Sequence, residues 1–215
     1  MMNSNEILNK IDHTVLTATA TTEDVRKICE EAVKYNTASV CIPPSYIKWA
    51  RENFPSLNLC TVIGFPLGYN TTAVKVFETG NAVIDGADEI DMVVNLGFIK
   101  DKNFGRVTEE ISAVKKACGG KLLKVIIETC YLTDDEKKEL CRCVTDAGAE
   151  YIKTSTGFGT KGAELSDIEL FKANIGENVK IKAAGGIRTR EEMENFIKAG
   201  CDRIGTSKAN ILFSE

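Results

Sequence analysis

Short apolar runs alternate along the chain with longer stretches in which apolar residues return every three or four positions. The short runs predict strands at 10–13, 39–42, 59–63, 89–94, 122–127, 151–153, 181–183 and 203–205. The periodic stretches predict helices at 22–35, 45–53, 72–84, 104–117, 134–147, 164–173 and 190–199. Thr21, Ser45, Thr71, Thr133 and Thr189 stand where N-caps belong. Glycine phrases at 85–87, 147–149 and 199–201 turn the chain back toward the next strand.

Strict βα alternation implies a parallel sheet. Eight strand candidates favour closure into a (β/α)8 TIM barrel over an open doubly wound sheet, and the 215 residues fit such a barrel as a single domain, 1–215. Hydrophobic residues at 43% and charged residues at 27% are ordinary for a soluble globular chain. The net charge of −4 gives no electrostatic reason to expect nucleic acid or an anionic membrane as partner. No run approaches the roughly 20 apolar residues of a membrane span, and the Met-Met-Asn-Ser-Asn start carries no signal-peptide pattern. The eight cysteines contain no C-x-x-C pair, and His13 is the lone histidine, which argues against a zinc site. Scattered thiols without an export signal read as a reducing cytosol, so a cytoplasmic location is expected. No metal or cofactor is expected. The partner should be a small anionic molecule, and a homodimer is one assembly compatible with the sequence.

Parity on the strands decides which residues enter the barrel. With helices outside, Ile90 and Met92 face them and Asp91 faces the lumen. The same rule sends Lys124, Lys153 and Lys182 inward on the next three strands. Lysines within apolar strands are costly unless paired or used, and one carboxylate with three lysines is hard to explain as packing. Each strand-end lysine alone could instead snorkel to solvent. Together they suggest a lysine amine made nucleophilic by a nearby like charge, able to form a Schiff base with a carbonyl substrate. Asp91 would balance the cluster and relay protons.

A second feature is anion binding. Gly185-Gly186-Ile187-Arg188 follows the seventh strand, and Gly205-Thr206-Ser207 the eighth, the positions at which this fold often binds phosphate. Gly157-Phe158-Gly159 can close a third side. At the end of the first strand, Asp12 or Thr14 is placed to bind a substrate hydroxyl, while His13 reads as a structural hydrogen-bonding residue. Cys41, ending the second strand, is either a substrate contact or a small buried residue.

With these residues in place the chain resembles the deoxyribose-phosphate aldolases, a class I aldolase family. The resemblance runs through Ile-Asp-His-Thr (11–14), Ser-Val-Cys-Ile (39–42), Thr-Val-Ile-Gly-Phe-Pro-Leu-Gly (61–68) and Glu-Ile-Asp-Met-Val-Val-Asn (89–95). It continues in Lys-Val-Ile-Ile-Glu-Thr (124–129), Lys-Thr-Ser-Thr-Gly-Phe (153–158) and Lys-Ala-Ala-Gly-Gly-Ile-Arg (182–188). It implies reversible cleavage of 2-deoxy-D-ribose 5-phosphate to D-glyceraldehyde 3-phosphate and acetaldehyde, a step of deoxyribose catabolism. By motif position it implies Lys153 as the Schiff-base lysine, Asp91 as the proton donor and acceptor, Lys182 as the lysine that tunes Lys153, and Lys124 as Asp91's partner. It also implies a phosphate site at Gly157, Gly186, Arg188, Gly205 and Ser207. The chain departs from the family pattern at Thr17, Pro43, Gly159, Lys161 and Lys208, and it ends in Phe213-Ser214-Glu215 without the terminal tyrosine some members carry. Lys208 would either meet the phosphate or point to solvent. Two other readings stay open on the residues alone: a transaldolase-like Schiff-base aldolase, and a phosphate-binding barrel isomerase with Asp91 as base.

Overall fold

The computed structural model describes residues 2–213. Eight parallel strands close on themselves in sequence order: β1 (Ile11–Thr14), β2 (Ser39–Ile42), β3 (Leu59–Ile63), β4 (Glu89–Val93), β5 (Leu122–Ile126), β6 (Tyr151–Lys153), β7 (Lys180–Ala184) and β8 (Arg203–Thr206). β1 pairs with β8 as well as with β2, so no edge is left open. The helices are α1 (Ser4–Leu8), α2 (Thr22–Tyr35), α3 (Ile47–Asn53), α4 (Thr72–Ile84), α5 (Leu96–Lys100), α6 (Phe104–Ala117), α7 (Asp134–Asp146), α8 (Leu165–Asn174) and α9 (Arg190–Ala199). Among the described residues no helix is long and apolar enough to cross a membrane.

The alternating side-chain direction of the strands splits the interior in two. Ile90, Met92, Leu123, Val125, Ile152 and Ile181 point outward and pack with helix residues such as Val107, Ile111, Val144 and Phe171 in one continuous apolar layer. The inward set carries the charges. Thr21 and Thr189 begin their helices with reciprocal capping boxes to Asp24 and Glu192, and Thr133 does so with Glu136. Thr71 caps α4.

Ser45 is a correction. It lies inside a 3₁₀ turn, Pro44–Tyr46, with no side-chain cap, because the prolines at 43 and 44 fix φ and start the turn early. Strand β1 begins one residue later than the pattern predicts and includes Thr14. The one-turn helices α1 and α5 were not expected. Each is capped by an asparagine, Asn3 and Asn95, whose side chain accepts from the first turn. The segment after β8 forms a 3₁₀ helix, Ala209–Leu212, while Ser214 and Glu215 lie outside the described residues.

Candidate active site

Register brings the predicted residues together. Asp91 stands opposite Lys124 across β4 and β5, and Lys153 opposite Lys182 across β6 and β7. Neighbouring strands run about 4.8 Å apart, so long side chains from four strands meet at one point. That point is Asp91. Its Oδ2 accepts from Lys153 Nζ and Lys182 Nζ, each at 2.7 Å, and its Oδ1 accepts from Lys124 Nζ at 2.8 Å. Cys60 Sγ donates to Oδ1 at 3.2 Å.

A second tier lies beneath. Lys124 is 2.5 Å from Glu89 Oε2, and Lys182 is ion-paired with Asp12. Arg203, from the start of β8, pairs with Asp12 and bonds Glu89 Oε1 at 2.9 Å. Burial on its own would raise the proton affinity of Asp91, but the ammonium groups of Lys124, Lys153 and Lys182 hold its carboxyl well below the usual range. Burial likewise works against charge on Lys182 and Lys124. The carboxylates around them more than offset it, led by Asp12 on Lys182 and Asp91 on Lys124, and both amines sit above the ordinary lysine range.

The cluster is not balanced. Four cations, Lys124, Lys153, Lys182 and Arg203, meet three carboxylates, Asp12, Glu89 and Asp91. With every group ionised, this ion-paired set carries one positive charge in surplus, and a further carboxylate that acts on Lys153, that of Glu128, lies beyond ion-pair distance. Lys182 and Lys124 are each ion-paired with at least two carboxylates, whereas among the described residues Lys153 is ion-paired with Asp91 alone. Lys153 is thus the cation with the fewest carboxylate partners in the set.

Above Lys153 the barrel opens into a cavity of about 410 Å³. Lys153, Thr14, Gly157, Gly185, Gly186, Arg188, Gly205 and Ser207 all line it. Gly185 and Gly186 adopt φ of +83° and +78°, which turns the backbone of the loop after β7 toward the opening. Gly205 serves a different need: a Cβ there would come within 3.2 Å of Lys182 Cε, so the missing side chain makes room for that lysine. Another groove, about 440 Å³, lies on the outer surface by Arg142 and Asn174, remote from the lysines.

Asp12 and Cys41 are corrections to the expected substrate contacts. Both are fully buried and neither lines the cavity. Asp12 is the counter-ion of Lys182 and Arg203. Cys41 packs with Cys60 and Val62 beneath Leu16 and Phe65. Thr14 does reach the cavity wall, its hydroxyl donating to the Asp12 carbonyl at 2.7 Å. His13 bonds Glu31 at 2.7 Å and meets the edge of Phe213, a structural arrangement. Lys161 is exposed beside Glu164, and Lys208 borders a neighbouring groove with Asp24 and Glu31, which meets the cavity at Thr14, Val15 and Ser207.

Sequence reasoning missed Glu89, Arg203 and Cys60. The signal was present for the first two, since Glu89 shares parity with Asp91 and Arg203 with Gly205.

The chain matches the model of the DeoC/LacD family aldolases over residues 7–207. A deoxyribose-phosphate aldolase of Clostridium botulinum (strain Alaska E43 / Type E3) is 58% identical over 209 residues, 97% of this chain and 95% of that protein. One from Clostridioides difficile (strain 630) is 57% identical over 202 residues, covering 94% and 92%. Among solved structures, a tetrameric deoxyribose phosphate aldolase from Aeropyrum pernix superposes with a TM-score of 0.91 at 33% identity, covering 99% of this chain and 92% of that one. Orotidine 5'-phosphate decarboxylase from Pyrococcus horikoshii OT3, 12% identical with a TM-score of 0.67, shares the fold alone. A lysine-rich lumen, a glycine-lined mouth and these matches along nearly the whole length agree: the chain belongs to the DeoC/LacD family of aldolases.

Proposed function

We infer that this chain is a class I aldolase that reversibly cleaves 2-deoxy-D-ribose 5-phosphate into D-glyceraldehyde 3-phosphate and acetaldehyde. The observation that carries this reading is the unbalanced lysine cluster, with Lys153 as its one member on the cavity wall.

In this reading Lys153 Nζ attacks the C1 aldehyde of the open-chain sugar. Loss of water from the adduct gives an iminium, which draws electrons from the bond between C2 and C3. That bond breaks as the C3 hydroxyl gives up its proton. The C3–C5 fragment leaves as D-glyceraldehyde 3-phosphate, and the two-carbon enamine is protonated at C2 and hydrolysed to acetaldehyde. Asp91 takes and returns the proton, directly or through water. Once Lys153 enters the imine, the Oδ2 atom it held is free on that side for this role. Lys182 and Lys124 stay charged; they keep Asp91 ionised until it accepts the proton and favour its prompt return. The 5-phosphate lies against the backbone at Gly185, Gly186 and Ser207, with Arg188 beside it. The substrate is a small metabolite, and the eight free cysteines suit a cytoplasmic setting.

The test is direct. Purified protein given deoxyribose 5-phosphate should release stoichiometric glyceraldehyde 3-phosphate and acetaldehyde. Lys153→Arg keeps the charge but supplies no usable nucleophile, and release should fall below detection. Turnover by Lys153→Arg at the wild-type rate would dismiss the imine.

A further inference from the structure

We propose that Glu128 is a positioning residue: its carboxylate holds the loop after Lys153 in place as a wall of the cavity, and so sets affinity for the phosphorylated end of the substrate. The proposal rests on the reading of the preceding section, since it takes that cavity to seat the phosphate.

Glu128 stands just beyond β5 with φ 54° and ψ 66°, a left-handed conformation that side chains with a Cβ rarely adopt. The kink begins a 3₁₀ turn, Thr129–Tyr131, and the Glu128 side chain is only 3% exposed. A glycine would make this turn without strain, so the turn itself gives no reason for an acid. The reason lies across the gap to β6. The carboxylate accepts from the Thr156 N–H, at 3.2 Å to Oε1, and from the Thr156 hydroxyl. Thr156 Oγ1 in turn accepts from Phe158 N at 3.0 Å. One buried side chain thereby satisfies the backbone and hydroxyl of Thr156 and reaches Phe158 through it.

The flanking backbone belongs to the same clamp. Ile127 N donates to Lys153 O at 3.1 Å and Thr129 N to Thr154 O at 3.0 Å. Three successive residues of the β5 exit therefore fix the segment from Lys153 to Phe158. Of that segment Lys153, Thr156, Gly157 and Phe158 line the cavity. Gly157, with φ +88°, makes the left-handed turn between the clamped threonine and Phe158. Gly159 fits closely over the clamp, since a Cβ there would come within 3.1 Å of Glu128 Oε1. A carboxylate buried at this site is costly unless hydrogen-bonded, and removing it leaves the Thr156 donors without their partner.

The test compares KM and kcat for deoxyribose 5-phosphate and for unphosphorylated deoxyribose. Glu128→Gly keeps the turn, relieves its strain and deletes the clamp. It should raise KM for the phosphorylated sugar by about tenfold, change kcat by less than about threefold, and leave the unphosphorylated sugar's KM unchanged. Glu128→Gln retains an acceptor oxygen and should restore KM to within about threefold of wild type. Thr156→Val removes the hydroxyl while leaving carboxylate and turn intact, and should give a selective KM rise even if the glycine variant proves unstable. Equal effects on both sugars, or wild-type constants in both Glu128→Gly and Thr156→Val, would overturn the proposal. A wild-type chain inactive on both sugars would instead overturn the aldolase reading and the proposal with it.

Discussion

Buried lysines lie on opposite sides of the barrel wall, a cluster of three in the lumen around Asp91 and a single one, Lys75, between α4 and α6. Lys75 is as buried as Lys124 and Lys182. Its Nζ donates to Glu110 Oε2 and to the Val93 carbonyl, both at 2.8 Å. Glu110 Oε2 also accepts from Asn95 N at 3.2 Å. Here one cation meets one carboxylate, and backbone groups complete the set. Burial pulls the Lys75 amine below the ordinary lysine range, with Glu110 only partly opposing it. The lumen differs in two respects: its cations outnumber its carboxylates, and one of them, Lys153, borders a cavity. A buried lysine of weakened basicity is therefore not a sufficient mark of a nucleophile. Surplus charge and access to substrate are what separate the two sites.

The sharpest way to break the comparison is to disturb each site in turn. Asp91→Asn removes the charge on which three lysines converge but keeps an acceptor oxygen. It should leave the far-UV circular dichroism unchanged and lower kcat by a factor of about 10² to 10⁴, the usual worth of a general acid–base group. A loss under tenfold would mean that Asp91 only neutralises charge. Lys75→Met should do the opposite. It strands Glu110 in the apolar layer, so stability in urea should fall by about 3 to 5 kcal/mol while kcat of the folded fraction stays near wild type. Adding Glu110→Leu should recover most of that loss, because a buried pair replaced by apolar groups of similar size is often neutral. If the double variant were stable but inactive, the outer pair would have to be counted as part of the chemistry. The smallest effect is expected at Lys208. Because it borders the groove of Asp24 and Glu31 and not the main cavity, Lys208→Gly should leave KM for the phosphorylated sugar unchanged at low and high salt. A KM rise confined to low salt would show that the side chain swings to the phosphate.

The same comparison shows what the sequence could reveal. Strand parity is binary, so it assigned Asp91, Lys124, Lys153 and Lys182 to the lumen from the apolar partners on either side of each. The glycine turns after β7 and β8 were legible because so few residues can form them, and they do line the cavity. Parity gives direction but not height along the barrel axis. That is why Asp12 and Cys41, read as substrate contacts, are instead fully buried and off the cavity wall. Lys75 went unnoticed because a charged residue in an amphipathic helix reads as part of its solvated face. Only the packing of α4 against α6 turns it inward. Glu128 was hidden for another reason: its role depends on a left-handed backbone that no local residue pattern announces.

The most direct test of the central claim is reductive trapping. The wild-type chain would be incubated with acetaldehyde and borohydride, digested, and the modified peptide located by mass spectrometry. Lys153 is the one lysine of the set on the cavity wall, so a two-carbon addition should appear on Lys153, with Lys182 and Lys124 unmodified. A label on Lys182 would reverse the roles of the two lysines. No label at all, in protein that still cleaves the sugar, would contradict the Schiff-base account.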